Sequence, residues 1–378
     1  MECRSCFCLI FRKKANKLKL VLIDCTKLNV PRKLLFLLEL LLSASEIVFG
    51  LSLVLIKKAQ KKIEWAFRDL GYAIGTRKLP NANAGRQIML YHGVTKNAKL
   101  DINARFISTA QFEQQISYMQ SNFHVVSLDE YFKGATHPSK LTIAITFDDG
   151  YLNNLIEALP ILEKYEVPAT FFVTTIREAG YDVLWADVLD LYGYTGGAEL
   201  TFNGECYIRK NNDFWSGNNK LKNVLKATGW EEKQQFVDEI LASNAFLNDP
   251  HYFPYFKLMD EQELQKLSAS PYATLGSHGL YHNCLDHVSI SACQKELEVS
   301  KNYLENITQK EVTSLAYPDG SYTREIVDLA EKTGYTMQLS VEQLFAEDTS
   351  DFRIENRFGV NPYIRFNNQM ECIINGRY

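Results

Sequence analysis

Two adjacent aspartates, Asp148 and Asp149, follow an apolar run in the segment TIAITFDDGYLNN (residues 142–154). Residues suited to a buried strand lead directly into the pair, and no basic residue stands beside it to neutralise its charge. Asp-Gly is common turn chemistry, so a simple turn is one interpretation. A metal site is the other, because a bound cation makes two neighbouring carboxylates favourable.

Further polar groups follow other predicted strands. His278 ends the segment YATLGSH, His282 follows four residues later, and Asp319 stands near the end of VTSLAYPDG. One carboxylate and two imidazoles form a common three-ligand metal set that leaves positions open for water and substrate. Two histidines four residues apart are weak evidence alone. Joined to TFDDG at the matching end of a neighbouring strand, they predict a metal site.

The elements that must position these groups alternate along the chain from residue 86. Helix-length segments separate predicted strands at residues 86–92, 141–147, 167–175, 272–278 and 312–320. Strands separated in this way favour parallel pairing and an α/β fold. Repeated units in one long run favour a barrel, in which functional groups lie at the C-terminal ends of the strands.

Residues 181–256 interrupt this alternation. The segment ELTFNGECYIRK (residues 199–210) alternates around Asn203-Gly204, which is a strong hairpin signal, and a polar helical stretch follows it. This insertion is too long for an ordinary loop. We therefore expect an inserted lid subdomain within a barrel that covers residues 86–360.

The overall charge and the cysteines exclude two classes of protein. The chain has 378 residues with 41 Lys and Arg against 45 Asp and Glu, so it lacks the basic excess typical of nucleic-acid binding. Its eight cysteines are mostly scattered, which fits a reducing compartment better than a disulfide scaffold. Cys3, Cys6 and Cys8 form a small cluster, but no second cluster lies nearby to complete a zinc site.

An N-terminal segment, residues 1–70, contains an apolar run at residues 34–56 that is about long enough to span a bilayer. Glu39 and Glu46 make insertion marginal, because a charged residue in mid-helix costs about 2.5–3.5 kcal/mol. No convincing signal-peptide cleavage site follows the run. We expect membrane association, with the side undetermined and a cytoplasmic location otherwise.

Three segments resemble, in order and spacing, the leading motifs of the polysaccharide deacetylases: TFDDGY, GSHGLYHNCL and LAYPDGSY. The resemblance covers residues 86–360 apart from the insertion. It implies a distorted (β/α)-barrel deacetylase fold and a divalent metal, most often Zn²⁺. It also implies hydrolysis of the N-acetyl group of an N-acetylated sugar, in a bacterial cell-surface polysaccharide or its precursor, with release of acetate.

The same resemblance implies roles for individual residues. Asp149, His278 and His282 would hold the metal, and Asp148 would be the general base that takes a proton from the attacking water. The negative charge that develops on the carbonyl oxygen would be held in part by a backbone N–H near Asp319.

Two features depart from the family pattern. Many members carry an arginine that orients the base before the proline of the third motif, but here that stretch is Ala316-Tyr317-Pro318. No histidine follows His287, so the late motif that holds the general acid is absent. The segment IMLYHGV resembles the start of circularly permuted poly-N-acetylglucosamine deacetylases, which implies that His92 is the acid. A strand-end histidine bonded to backbone is the alternative.

We also expect Tyr151, Trp185 and Tyr317 to contact the sugar, although Trp185 could instead pack the lid. Two other functions stay open: an amidase of the same fold that acts on a small amide, and a non-catalytic carbohydrate-binding relative. An aspartyl-phosphate phosphatase does not fit, because it needs two acids with one residue between them.

Overall fold

The computed structural model describes residues 60–378 and the backbone of two N-terminal strands. Strands β1 (Phe7–Lys14) and β2 (Lys17–Asp24) pair antiparallel, and helix α1 covers residues 60–73. The apolar run at residues 34–56 and the residues Cys3 and Cys6 lie outside the described part. Among the described helices, none has the length and apolar character needed to cross a membrane. The chain divides into two units, Met1–Leu70 and Gly71–Tyr378.

The first part of the second unit alternates strands and helices. Its elements are β3 (Gly85–Tyr91), β4 (Val94–Thr95), β5 (Ile107–Ser108), α2 (Thr109–Asn122), β6 (His124–Val125), α3 (Leu128–Phe132), β7 (Leu141–Phe147), α4 (Leu159–Lys164) and β8 (Ala169–Val173). The strands predicted from the sequence in this part are confirmed. A single π-helical turn at Asn154–Ala158 precedes α4.

The insertion folds around a buried core that also includes Ile102, Phe106 and Tyr151 from outside it. Its elements are α5 (Trp185–Tyr194), β9 (Glu199–Phe202), β10 (Glu205–Lys210), β11 (Asp213–Ser216), β12 (Asn219–Lys220), α6 (Leu221–Lys226), α7 (Trp230–Ser243) and α8 (Phe253–Phe256). The predicted hairpin is confirmed, because Phe202 pairs with Glu205 across the turn. Asn203 and Gly204 both adopt positive φ, at 49° and 75°, as a two-residue hairpin turn requires.

The remainder returns to alternating strands and helices. It contains α9 (Glu261–Ala269), β13 (Ala273–Ser277), α10 (Ile290–Thr308), β14 (Ser314–Ala316), α11 (Arg324–Thr333), β15 (Met337–Leu339), β16 (Ile354–Glu355), β17 (Phe358–Gly359) and α12 (Phe366–Asn375). The strands predicted at residues 272–278 and 312–320 are confirmed, although the second is shorter than predicted.

In the part of the chain that the structure describes, nine strands form one sheet in the order β16-β15-β14-β13-β8-β7-β3-β17, with β6 paired to β7. All of these pairings are parallel, so the C-terminal ends of the strands meet at one edge. The sheet curls with helices around it, which confirms the predicted α/β, distorted (β/α)-barrel fold. Its two end strands, β16 and β17, are joined by residues 356–357 alone, so this short connection links the two ends of the curled sheet.

Strand β7 is buried on both faces, as expected for a strand covered by helices on one side and by the barrel interior on the other. Ile143 and Ile145 pack in the cluster beneath the helices, whereas Ala144 packs in the interior cluster with Phe172. Side chains alternate along a strand, so Asp148 continues the inward-facing row of Ala144. The hydrophobic pattern of the strand therefore determines where the first aspartate points.

A glycine at Gly276 in β13 is required by close packing inside the barrel. A Cβ atom there would lie 2.5 Å from both the ring of Phe172 and the hydroxyl of Ser314. We expect Gly276→Ala to lower the free energy of unfolding by about 1–3 kcal/mol, measured by urea denaturation. Gly359→Ala in β17 is the control, because its Cβ would meet nothing within 4 Å. Equal losses in the two variants would contradict this steric explanation.

Candidate active site

The predicted functional residues follow strands whose C-terminal ends lie side by side. His92 follows β3, Asp148 and Asp149 follow β7, and His278 follows β13. The parallel hydrogen bonding extends one residue past the strands: Asp148 N–H donates to the Tyr91 carbonyl at 3.0 Å, and His278 N–H donates to the Val173 carbonyl at 2.9 Å. The backbone of the sheet therefore fixes where these side chains begin.

Asp149, His278 and His282 come together as the metal-site prediction requires. Their potential ligand atoms all lie within 4.8 Å of one another. Asp149 Oδ1 is 3.5 Å from His278 Nε2 and 3.3 Å from His282 Nε2. That oxygen is buried and has no hydrogen-bond partner among the described residues. Because an unpaired buried carboxylate oxygen is costly, and one carboxylate with two imidazoles is a zinc-type donor set, these residues fit a divalent cation.

The Asp-Gly turn gives the two aspartates different directions. Asp149 has φ of 77°, and Gly150 follows with φ of 83°. A Cβ atom on Gly150 would lie 2.9 Å from a methyl carbon of Val173, so this position needs glycine for space as well as for conformation. The turn and the cluster of three candidate metal ligands, which were alternatives for the sequence, occur together in the structure.

The surroundings of His278 and Asp149 favour the protonation states that bind a cation: a neutral imidazole and an ionised carboxylate. Nδ1 of His278 lies 2.7 Å from the Ala316 carbonyl, so it carries the proton and leaves the Nε2 lone pair facing Asp149. Burial lowers the pKa of His278, which keeps its ring neutral. Burial alone raises the pKa of Asp149, but the Arg105 guanidinium, with the neighbouring His282 side chain, outweighs this effect and holds that pKa well below its usual value.

The loop that carries His282 is held by hydrogen bonds from neighbouring elements. The Ser277 hydroxyl accepts the Gly279 N–H at 3.1 Å. The Glu296 carboxylate of α10 accepts the N–H groups of Leu280 and Tyr281 at 2.8 and 3.0 Å. These contacts support the left-handed backbone of His282, whose φ is 56°.

Arg357 makes the contact with Asp148 that is expected of the arginine missing from the third motif. It lies between β16 and β17, and its guanidinium donates to both oxygens of Asp148, at 2.6 and 2.7 Å. Both side chains are almost completely buried. Burial alone raises the pKa of Asp148, but Arg357 outweighs that effect and the pKa lies below its usual value. Asp148 is therefore an ionised, oriented carboxylate next to the proposed metal ligands.

The sequence did not indicate Arg357, because it lies far from every motif and belongs to no pattern of its own. The same is true of Arg105, which donates from Nη1 to Asp149 Oδ2 at 3.3 Å. Its Nη2 donates to Asp187 Oδ1 at 3.1 Å and to the Tyr151 hydroxyl at 3.0 Å. The Asp187 carboxylate is buried, and burial raises its pKa to about 7.

The three aromatic residues expected to contact a sugar are all buried in the structure. The hydroxyl of Tyr151 donates to Asp187, and the hydroxyl of Tyr317 donates to Gln338. The indole N–H of Trp185 donates to the His282 carbonyl at 3.2 Å. The prediction of direct sugar contact is not supported for Tyr151 and Tyr317, because their polar groups are satisfied internally and neither ring is exposed. Trp185 packs in the buried cluster around the insertion, and its predicted sugar contact is likewise unsupported.

Asp319 lies at the surface next to the insertion. Both of its carboxylate oxygens accept from the Lys226 ammonium of α6, at 2.6 Å each. Its carboxylate thus pairs with a lysine of the insertion. The role predicted here, stabilising negative charge on the carbonyl oxygen, belongs to a backbone N–H near Asp319 and not to its carboxylate. That role stays a prediction.

His92 lies close enough to both aspartates and to Arg357 for their charges to act on its pKa. Burial is the largest effect and lowers that pKa to about 4, so the ring is neutral near neutral pH. The backbone carbonyl of His92 accepts from Asn154 Nδ2 at 2.7 Å, which holds the segment beside the motif that follows β7.

Comparison with known proteins adds a family match. Residues 135–194 and 212–338 match the family model described as polysaccharide deacetylase. These ranges include the TFDDG motif, both histidines of the candidate metal site and Asp319. His92 and Arg357 lie outside them, so the role of His92 still rests on the resemblance of IMLYHGV, and that of Arg357 on its contact with Asp148.

Individual relatives are distant. YxkH of Bacillus subtilis (strain 168), a candidate polysaccharide deacetylase, is 21% identical over 279 residues, or 73% of this chain and 71% of that protein. Among solved structures, the Streptococcus pyogenes deacetylase PplD in complex with acetate is 19% identical, with 75% of this chain and 95% of that chain covered and a TM-score of 0.45. IcaB from Ammonifex degensii is 16% identical, with 78% and 98% covered and a TM-score of 0.45.

The three-ligand geometry predicts tight binding of a divalent cation. We expect Asp149→Asn to weaken Zn²⁺ binding at least about tenfold in calorimetric titration, because it removes the anionic ligand. Asp213→Asn is the control, since that carboxylate pairs with Lys220 within the insertion. Zn²⁺ binding by Asp149→Asn as tight as that of the unaltered chain would contradict the assigned site.

Proposed function

We propose that this chain, which belongs to the polysaccharide deacetylase family, hydrolyses the N-acetyl group of an N-acetylated sugar in a metal-dependent reaction and releases acetate. The family consists of hydrolases that act on carbon–nitrogen bonds. The observation that carries the proposal is the pairing of a three-ligand set, Asp149, His278 and His282, with a separate buried carboxylate, Asp148, that is oriented by Arg357.

The metal that we propose is a divalent cation, most simply Zn²⁺. A cation held by these residues would polarise the acetyl carbonyl and lower the pKa of the attacking water. His278 is suited to this role because its Nδ1 proton is donated to the Ala316 carbonyl and its Nε2 is left free. Asp149 is suited because its Oδ1 atom is otherwise unpaired.

Asp148 is the general base in this proposal. Its Oδ2 atom lies 3.8 Å from His278 Nε2, so the carboxylate borders the ligand set without belonging to it. Arg357 holds it ionised and fixes its orientation through two hydrogen bonds. A fixed carboxylate next to the attacking water can take a proton from it without first reorganising.

His92 is the general acid in this proposal, and it must carry a proton when the amine leaves. Its pKa is lowered to about 4 by burial. Negative charge that develops on the acetyl oxygen during attack would favour the imidazolium form, because a nearby opposite charge raises the pKa of a histidine. His92 would take up a proton from solvent as this charge develops and donate it to the amine nitrogen as the carbon–nitrogen bond breaks, while Asp148 keeps the proton that it took from the attacking water. A backbone N–H near Asp319 would help to hold the oxygen's charge.

The substrate that we propose is a bacterial cell-surface polysaccharide or its precursor, and the chain would reach it through membrane association of residues 34–56. A non-catalytic relative is less well supported than it was from the sequence, because Arg357 replaces the arginine missing from the third motif. The chain then offers a candidate for each group that the proposed hydrolysis requires.

The Arg357–Asp148 pair predicts how activity depends on pH. The base acts when ionised, so activity rises as pH increases through the pKa of Asp148. Arg357→Gln removes the charge that lowers this pKa, and we expect the acid limb of the kcat/KM profile to move up by about one pH unit or more. Arg357→Lys should restore part of the shift, since it restores the charge but not the two-bond geometry. An unmoved acid limb in Arg357→Gln would show that Asp148 is not the titrating base.

Acetate release from N-acetylglucosamine oligomers tests the proposed function directly. We expect chelator to stop release by the full chain and Zn²⁺ to restore it. Asp148→Asn and His92→Ala should each lower the rate by about 10²-fold or more, because each removes a proton-transfer group. His137→Ala is the control histidine, since it precedes β7 and so lies at the opposite edge of the sheet. Normal release by His92→Ala would remove His92 from the mechanism.

A further inference from the structure

The two oxygens of Asp149 have different partners, and this difference determines how the residue can hold a metal. Oδ1 lies 3.5 Å from His278 Nε2 and 3.3 Å from His282 Nε2, and it has no hydrogen-bond partner among the described residues. Oδ2 accepts from the Arg105 guanidinium at 3.3 Å. One oxygen is therefore left for a cation, whereas the other is already engaged by a positive side chain.

Arg105 is held in place by residues other than Asp149. Its Nε donates to Asn103 Oδ1 at 3.3 Å, and its Nη2 donates to the Tyr151 hydroxyl at 3.0 Å and to Asp187 Oδ1 at 3.1 Å. Together with the contact to Asp149, these bonds use four of the five N–H groups of the guanidinium. Because the guanidinium is planar and rigid, fixing its other nitrogens also fixes the Nη1 atom that faces Asp149.

The partners of Arg105 are bonded to one another, so they form one polar cluster. The Tyr151 hydroxyl donates to Asp187 Oδ2 at 2.8 Å, and Asn103 Nδ2 donates to Asp187 Oδ1 at 3.2 Å. Asn103 and Asp187 are each 2% exposed and Tyr151 is fully buried, although the Arg105 side chain is 31% exposed. Water therefore competes little for the hydrogen bonds among these partners, and the fold determines where each acceptor lies.

The cluster joins three parts of the chain around Asp149. Asn103 and Arg105 lie between β4 and β5, Tyr151 follows β7, and Asp187 belongs to α5 of the insertion. Arg105 is thus placed between two carboxylates, those of Asp149 and Asp187. If Asp149 turned Oδ2 towards a cation, Arg105 could not follow without breaking its contacts with Asp187 and Tyr151.

We propose that Arg105 is a positioning residue that makes Asp149 bind the metal through Oδ1 alone. A carboxylate can bind a metal through one oxygen or through both, and a second oxygen would take a position that catalysis needs for water or substrate. Arg105 prevents this by keeping Oδ2 hydrogen-bonded, and the insertion contributes through Asp187. The assignment rests on the proposed function in taking Asp149 as a metal ligand, but it requires no particular substrate.

Crystals of the unaltered chain and of Arg105→Met, both soaked in Zn²⁺, test this assignment. We expect Oδ1 alone of Asp149 to contact the metal in the unaltered chain, and both oxygens to contact it in Arg105→Met, because Oδ2 is released. Arg177→Met is the matched control, since Arg177 is 28% exposed and lies 4.0 Å from a carboxylate outside the ligand set, that of Asp182. Contact through Oδ1 alone in Arg105→Met would overturn the proposal.

A second variant guards against misfolding, because Arg105→Met leaves the buried Asp187 carboxylate without its positive partner. The double variant Arg105→Met/Asp187→Asn removes both charges, and the Tyr151 hydroxyl can still donate to the amide oxygen at position 187. We expect both oxygens of Asp149 to contact zinc in this variant as well. A zinc ion bound through Oδ1 alone in the double variant would also contradict the role of Arg105.

Calorimetric titration with Zn²⁺ distinguishes positioning from general support of the site. Arg105→Met removes a positive charge next to the cation and frees an additional ligand oxygen, so we expect Zn²⁺ to bind about threefold or more tighter. A residue that only supported the ligands would have the opposite effect, because its loss would disorder them and weaken binding. Weaker Zn²⁺ binding by Arg105→Met, with an unchanged circular dichroism spectrum, would overturn the proposal.

Acetate release separates this assignment from the proposed function. Zinc bound as expected here, by a chain that releases no acetate from N-acetylglucosamine oligomers, would contradict the deacetylase proposal and leave the role of Arg105 standing. Chelator-sensitive acetate release, with Oδ1 alone bound both in the unaltered chain and in Arg105→Met, would overturn only the role of Arg105. The absence of zinc at Asp149 in the unaltered chain would overturn both.

Discussion

The buried ion pair between Arg357 and Asp148 is the interaction on which the site depends. An ionised carboxylate removed from water is strongly unfavourable unless a charged partner and hydrogen bonds compensate for the loss of solvation. Arg357 supplies both through two short hydrogen bonds, and its guanidinium also lies 5.6 Å from the ring of Phe172 inside the barrel.

This ion pair also depends on the curl of the sheet. Arg357 lies in the two-residue connection between β16, which pairs with β15, and β17, which pairs with β3. These are the strands at opposite ends of the sheet order, and the chain passes between them only because the sheet curves round. Closure of the fold and orientation of the proposed base therefore occur at the same residue.

The two aspartates have different environments although they are adjacent. Asp148 continues the inward-facing row of β7 and meets Arg357, whereas the positive φ of Asp149 turns its carboxylate towards His278 and His282. Arg105 contacts Asp149 from the side of the insertion. Each carboxylate thus has its own arginine, and the proposed division between general base and metal ligand follows from one change in backbone conformation.

The insertion supports the site rather than only covering it. The indole N–H of Trp185 donates to the His282 carbonyl, and the Asp187 carboxylate accepts from Arg105. Lys233 of α7 is fully buried, donates to Asn283 Oδ1 at 2.7 Å, and lies 4.9 Å from the Trp185 ring. Burial lowers the pKa of Lys233 to about 8, with Cys284 and Glu296 opposing that effect. Several contacts to the loop around His282 therefore come from the insertion.

The parts of the site that the sequence could predict are those encoded by neighbouring residues. Asp149 and the two histidines stand at strand ends within short motifs, and parallel pairing brings strand ends together. Arg357 and Arg105 could not be predicted in this way, because each reaches the site only through the folded sheet or the insertion. For Tyr151 and Tyr317 the sequence predicted a sugar contact that the structure does not support. Each belongs to a motif, yet its hydroxyl is bonded internally and its ring is buried.

The most direct test of this account is a crystal structure of the full chain soaked in Zn²⁺, with anomalous diffraction measured at the zinc edge. The account predicts a strong peak within about 2.0–2.2 Å of one oxygen of Asp149 and one nitrogen each of His278 and His282. Asp148 should still be paired with Arg357 and should not be a ligand. A site without a peak, or one in which Asp148 leaves Arg357 to bind the metal, would contradict the assignment of the two aspartates.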